Sequence, residues 1–212
     1  MSSSGFCHRI PQFFQATHKI KMKLTLIRKF FLTGLTGLIG VVVVWFIVAA
    51  NKPDLLKFQN IVEASFRTVE HIDADGYAAL DSEQIVVFDV RETDEFAVSH
   101  LAGALQIDPS ITPETFAREF KDTVNGKTVV FYCSVGWRSS DLAQRVDSVL
   151  KQQGVVASYN LIGGLFQWHN EERPLLSETG GNTQAIHPYN KYWGRAIDDQ
   201  SAIQYSPLVK AQ

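Results

Sequence analysis

Apolar and polar positions change period repeatedly through the second half of the chain. Short runs of β-branched and aromatic residues alternate with stretches whose apolar residues recur at helical spacing, which predicts repeated strand and helix units. Strands are expected near Thr68–Ile72, Ile85–Val90, Ala104–Ile107, Thr128–Cys133 and Ser158–Ile162, with helices between them. The runs IVVFDV and TVVFYC are apolar throughout, as strands of a parallel sheet covered on both faces are. Asn125-Gly126 signals a turn before the fourth strand, and Thr112-Pro113-Glu114 reads as a helix start with threonine as cap. The class expected is α/β. Residues 51–64 read as a linker into this pattern, and from Ser177 onward the regular alternation stops.

Upstream the pattern is of another kind. Phe30 to Ala50 is uncharged and long enough to cross a bilayer as a helix. A cleaved signal peptide competes, because Val48 and Ala50 supply a small-residue pattern, but signal cores are typically about 7–15 residues and this run is longer. A retained anchor is therefore expected.

The formal net charge of −2 hides a segregation. Lys19, Lys21, Lys23, Arg28 and Lys29 precede the run, whereas only Lys52 closely follows it. That asymmetry places the globular part outside the cytoplasm, in the periplasm of a bacterium. The basic segment 1–29 leads into a membrane span, so a nucleic-acid partner is not expected. Met22 begins MKLTLIRKFF like an ordinary bacterial start, so residues 1–21 read as a misassigned upstream start. The topology argument holds without them.

The two cysteines, Cys7 and Cys133, fall on opposite sides of that span and cannot pair within one chain. Cys133 ends an apolar run and is followed by Ser134, Val135, Gly136, Trp137, Arg138 and Ser139. If TVVFYC is a strand and SSDLAQRVDSVLKQQG a helix, the thiol lies at the carboxyl end of a parallel strand, where open α/β sheets bind ligands. Backbone N–H groups of Ser134 to Trp137 and the helix N-terminus would then form an anion cradle around the sulfur and favour a thiolate. Arg138 offers a planar fork to an oxyanion. Ser139 and Ser140 are candidate helix caps, and Asp141 should point away from the cradle. The plain alternative is a cysteine packed as a small hydrophobe.

Three stretches, DVRETDEFAVSHLAGA from Asp89, CSVGWRSS from Cys133 and LIGGLFQWHNEERPL from Leu161, together resemble a rhodanese-like sulfurtransferase domain over about residues 65–176. The resemblance implies a parallel five-stranded sheet flanked by helices, with Cys133 as nucleophile and Arg138 closing the active loop. Asp89 and Arg91 match the motif that buttresses the site, although a purely structural salt bridge is an equal reading. Ser99 and Ala102 depart from the glycine and proline usual around His100, in the turn that ends the first of these stretches. His100 is expected to be structural, since a thiolate needs no base. Gly163, Gly164 and Trp168 match the closing motif and should serve close packing, and Trp137 would wall the pocket mouth.

The implied chemistry is transfer of sulfane sulfur from a small anion such as thiosulfate to a thiol or cyanide-like acceptor through a Cys133 persulfide, without cofactor. Phosphatase or arsenate reductase chemistry is disfavoured by the short loop from Cys133 to Arg138 and by the lack of a second domain cysteine. A rival of another class is a membrane-tethered binding or sulfur-sensing module. The extension 177–212, with Tyr189, Tyr192 and Trp193, is a possible protein-binding element, although such aromatics more often dock on their own domain. His169, His187 and Cys133 lack metal-ligand spacing, and the glycines match neither a P-loop nor a dinucleotide fingerprint.

Overall fold

A computed structural model describes residues 52–207. The expected membrane span at 30–50 and the basic segment before it lie outside those residues, as does the end of the C-terminal extension. Among the described residues no helix is long and apolar enough to cross a membrane.

Five parallel strands form the central sheet: β1 (Glu70–Ile72), β2 (Ile85–Asp89), β3 (Leu105–Gln106), β4 (Thr128–Tyr132) and β5 (Ala157–Leu161). Their spatial order is β1-β5-β4-β2-β3, which puts β4 at the centre, paired with both β2 and β5. Each predicted strand is present; four are trimmed by one or two residues at one or both ends, and the fifth is shifted one residue toward the N-terminus. Side chains alternate across β4, so Val130 and Tyr132 enter one core while Val129 and Phe131 enter the other.

The second of these cores lies under α4 (Pro113–Val124) and α5 (Trp137–Gln152). Leu142, Val146 and Leu150 of α5 recur along one face and are fully buried there, and Phe88, Phe116 and Phe131 pack ring on ring. Thr112 caps α4 as expected, its hydroxyl accepting from the Thr115 N–H at 3.2 Å.

The opposite core corrects two expectations. The stretch read as a linker is a helix, α1 (Leu55–Ser65), capped by Asp54 accepting from the Lys57 N–H. Leu55, Phe58 and Val62 fall at helical spacing and Leu55 and Val62 are buried, so the segment is held by packing on the sheet. Short helices α2 (Ala74–Ala78), α3 (Thr93–Val98) and α6 (Gly164–Asn170) complete the family of connections between strands and their exits.

The extension is not patternless either. Its first residues pair back on the end of the domain in a small hairpin, β7 (Asn182–Thr183) against β6 (Leu175–Leu176), and a helical turn, α7 (Lys191–Gly194), and a 3-10 turn at Gln200–Ala202 follow. Ile186, Ala196 and Ile197 bury themselves in the same core as Leu55. Asn170 ties the chain down from both sides, donating to Ala196 O at 2.8 Å and accepting from the Asp198 N–H at 2.9 Å. Lys52 pairs with Asp198. The described part of the extension thus docks on its own domain.

Candidate active site

Cys133 follows β4 directly and is buried. Two N–H groups at the start of α6 hold the loop after it: Leu165 donates to Cys133 O at 2.9 Å and Phe166 to Ser134 O at 3.0 Å. Across a trans peptide the C=O and the next N–H point opposite ways, so the Ser134 and Val135 N–H groups face away from α6. The approach is close enough to demand glycine at 164, where an added Cβ would stand 2.4 Å from Cys133 O.

Gly136 then turns the chain with φ of 90°, a conformation that requires glycine, and its N–H donates to Cys133 Sγ at 3.2 Å. Helix α5 begins at the next residue, earlier than expected. Ser140 N and Oγ both donate to Gly136 O, at 3.2 and 2.7 Å, which leaves the N–H groups of the first turn without helical partners at the sulfur's end of the helix. Of the cradle expected from Ser134 to Trp137, one amide, that of Gly136, is bonded to the sulfur, with the positive end of α5 beside it.

Arg138 departs from expectation. Its guanidinium is closed on Glu95 in a two-pronged pair, Nη1 to Oε2 at 2.7 Å and Nη2 to Oε1 at 2.9 Å, and Nη2 also donates to Ser134 Oγ at 3.0 Å. Ser134 Oγ donates in turn to Glu95 Oε1 at 2.9 Å. The fork proposed for an oxyanion is thus already filled by a carboxylate. The reason lies in α3, whose capping box with Glu92 buries Glu95, and a buried carboxylate must be paired. Burial pushes the Glu95 carboxyl up, but Arg138 more than reverses this and holds it below the ordinary value. The same pair raises Arg138 against its own burial.

Ser139 is a second correction, because its hydroxyl turns from the pocket and donates to Asn160 Oδ1 at 2.6 Å, joining α5 to β5. It is a fully buried anchor, neither a cap nor part of the lining. Asp141 pairs with Arg145 at 2.9 Å, away from the loop as expected.

Asp89 and Arg91 form a fully buried ion pair at 2.6 Å. Arg91 also donates to Ser99 O at 2.6 Å, and Asp89 accepts at 2.6 Å from the hydroxyl of Tyr132, which in turn accepts from the Leu101 N–H. Burial and the Asp89 charge hold that phenol well above its ordinary value, so it stays a donor. The network fixes the residue before Cys133 to the end of β2 and to the 99–101 turn, a buttress none of whose residues lines the pocket. His100 stacks on Phe96 at 4.0 Å and its Nδ1 lies 3.1 Å from Phe96 O, a structural placement.

Cys133, although only 1% exposed, is one of the residues lining a cavity of about 180 Å³, with Phe58, Ser134, Val135, Trp137, Arg138, Tyr189 and Trp193. Trp137, 42% exposed, stands at the mouth against Phe66 and Phe58. Trp193 meets Phe58 edge-on at 4.8 Å, and the Tyr189 ring lies 5.0 Å from the Arg138 guanidinium carbon. Glu95, Phe58, Tyr189 and Trp193 were not expected here. The spacing of Glu92 and Glu95 carries a capping-box signal, but Phe58 and the tail aromatics reach the pocket only through tertiary docking.

Among the described residues no three His, Cys, Asp or Glu side chains gather as a metal site requires. A larger cleft, about 290 Å³, opens at the amino ends of β1 and β5 and carries no cysteine.

Comparison with known proteins matches residues 74–171 to the rhodanese-like domain. A thiosulfate sulfurtransferase GlpE of Coxiella burnetii is 30% identical over 103 residues, 49% of this chain and 87% of that protein. A sulfurtransferase of Allochromatium vinosum is 29% identical over 114 residues, covering 53% and 99%. A tRNA uridine(34) hydroxylase of Oceanobacillus iheyensis is 30% identical over 119 residues, 54% of this chain but only 36% of that protein.

Proposed function

The chain belongs to the rhodanese-like family, and on that premise we propose that it is a sulfurtransferase carrying one sulfane sulfur atom on Cys133 as a persulfide. The observation that carries this reading is a buried cysteine that lines a cavity, its sulfur bonded at 3.2 Å by the Gly136 N–H at a helix N-terminus. Such a setting stabilises negative charge on the sulfur, both before and after it takes its cargo.

In the first half-reaction the Cys133 thiolate attacks the outer sulfur of a donor, thiosulfate being the simplest. The donor S–S bond breaks, sulfite leaves with the electron pair, and a new S–S bond leaves the charge on the terminal persulfide sulfur. In the second, a thiolate or cyanide attacks that terminal sulfur and Cys133 departs as thiolate. No proton need be moved and no net oxidation occurs. Gly136 donates to the sulfur, while Trp137 and Val135 shield the pocket from water. Glu95 and Arg138 fix the loop through Ser134. Two sequential half-reactions through one covalent intermediate give ping-pong kinetics.

The test is mass analysis of the Cys133 peptide after incubation with a sulfane-sulfur donor. Gain of one sulfur, absent in Cys133→Ser and discharged by cyanide, is the expected result. No gain with any donor would end the proposal.

The uncharged run 30–50 and its basic flank support a single-pass anchor with this domain outside the cytoplasm. Protease digestion of the domain in intact spheroplasts is the expected outcome, and full protection would contradict it.

A further inference from the structure

The lining of the Cys133 pocket suits a donor unlike thiosulfate. Among the described residues lining it, Arg138 is the only basic one, and its fork is held by Glu95 and Ser134. A dianion approaching a thiolate there would bring three negative charges together without a free cation to meet them. Beside Ser134 and Val135, the remaining wall is four rings: Phe58, Trp137, Tyr189 and Trp193. Trp193, Phe58, Trp137 and Phe66 form a continuous ring-to-ring chain with centroid separations of 4.8, 6.1 and 5.0 Å.

The source of these rings matters. Phe58 comes from α1, and Tyr189 and Trp193 from the docked extension, so three of the four lie outside the matched residues 74–171. Tyr189 is held there with φ of 62°, a left-handed conformation costly for a tyrosine, its N–H bonded to His187 Nδ1 at 3.1 Å. A strained residue thus stands at the pocket, as at many binding sites. A cavity of about 180 Å³ compares with the roughly 150 Å³ apolar cavity that takes benzene.

We propose that the flanking aromatics make this site selective for sulfane-sulfur donors with an apolar organic group and a single negative charge, of the aryl thiosulfonate type, over the thiosulfate dianion. The proposal rests on the sulfurtransferase reading of Cys133. With such a donor the thiolate attacks the terminal sulfur, the bond between the two sulfurs breaks, and the arenesulfinate leaves with the electron pair. Thiolate plus thiosulfonate becomes persulfide plus sulfinate, two negative charges on each side.

The experiment uses the full-length chain with three donors: thiosulfate, methanethiosulfonate and benzenethiosulfonate. Each kcat/KM, with cyanide as acceptor, is divided by that donor's rate with a free alkyl thiolate, which removes intrinsic reactivity. Benzenethiosulfonate should exceed methanethiosulfonate by about tenfold or more, a difference that apolar contact can supply, and thiosulfate should be slowest. In Trp193→Ala, and in the milder Trp193→Leu should the first not fold, the benzene-to-methane ratio should fall toward one.

Equal corrected rates for the three donors, or thiosulfate fastest, would overturn the selectivity while leaving the sulfurtransferase reading intact. An unchanged ratio in both Trp193 variants would overturn the role of the aromatic wall. Failure of every donor to load Cys133 would remove the underlying reading itself.

Discussion

Two regions meet at Cys133 and are built on opposite principles. The sheet and loop hold the sulfur by charge and hydrogen bonds: the Asp89–Arg91–Tyr132 network behind it and the Glu95–Arg138–Ser134 cluster beside it. The flanks, α1 and the extension, contribute rings and almost no charge to the same cavity. The difference teaches that what the sulfur can do and what can reach it are set by separate parts of the chain. The first are expensive to disturb because buried charges lose their partners. The second should tolerate change in stability while altering choice of donor.

The hardest blow to the charged region is Arg91→Met, which strands Asp89 without a cation inside the protein. Breaking a fully buried pair from one side costs about 3–5 kcal/mol, and a denaturant midpoint lowered to match is expected. A change under about 1 kcal/mol, the range of exposed pairs, would show the network to be dispensable.

Glu95→Gln comes next and joins the two regions. It removes the carboxylate that fills the Arg138 fork, so a free cation should face the pocket. Thiosulfate should gain on methanethiosulfonate by about tenfold in corrected kcat/KM, roughly the size of one charge-assisted contact. An unchanged ratio would mean that the fork never governs donor charge. Stability should fall as well, since Ser134 and Arg138 lose an acceptor.

The same pair makes an acid-sensitive element. Because Glu95 is held below its ordinary value of 4.5, its contribution to stability is complete above that pH and is lost as the pH falls through the lower folded value. Thermal melts of the native chain should therefore decline more steeply below about pH 4.5 than those of Glu95→Gln. Parallel declines would deny the pair this role.

On the aromatic side the smallest effect should appear at Tyr189. Both Tyr189→Ala and Tyr189→Gly remove the ring, but only glycine accepts a φ of 62° without strain. The glycine variant should be the more stable by about 1 kcal/mol. Equal stability would show that the left-handed turn is not imposed by its surroundings.

How far each region could be read from the chain follows from the same contrast. The strands announced themselves because they are buried on both faces and must be apolar throughout, and the loop because its cysteine and glycine have few substitutes. Asp89 and Arg91 were legible as a motif, but their burial was not, since a charge gives no hint of its depth. The pairing of Arg138 is hidden in the sequence because its partner, Glu95, lies far off along the chain and the pair depends on how α3 packs against α5. The residues of α1 read as a linker in sequence although Leu55, Phe58 and Val62 keep helical spacing, because a single short amphipathic helix is a weak signal without its partner surface. Tyr189 and Trp193 could be named as aromatics that dock, but nothing local tells where.

The central claim is that Cys133 carries sulfur between donor and acceptor. Mass measurement of the Cys133 peptide, taken after a donor pulse and again after an acceptor chase, tests it most directly. One added sulfur that appears on this residue and then leaves with the acceptor is the result the account predicts. Sulfur transferred at the full rate by Cys133→Ser, or an unmodified Cys133 during turnover, would contradict it.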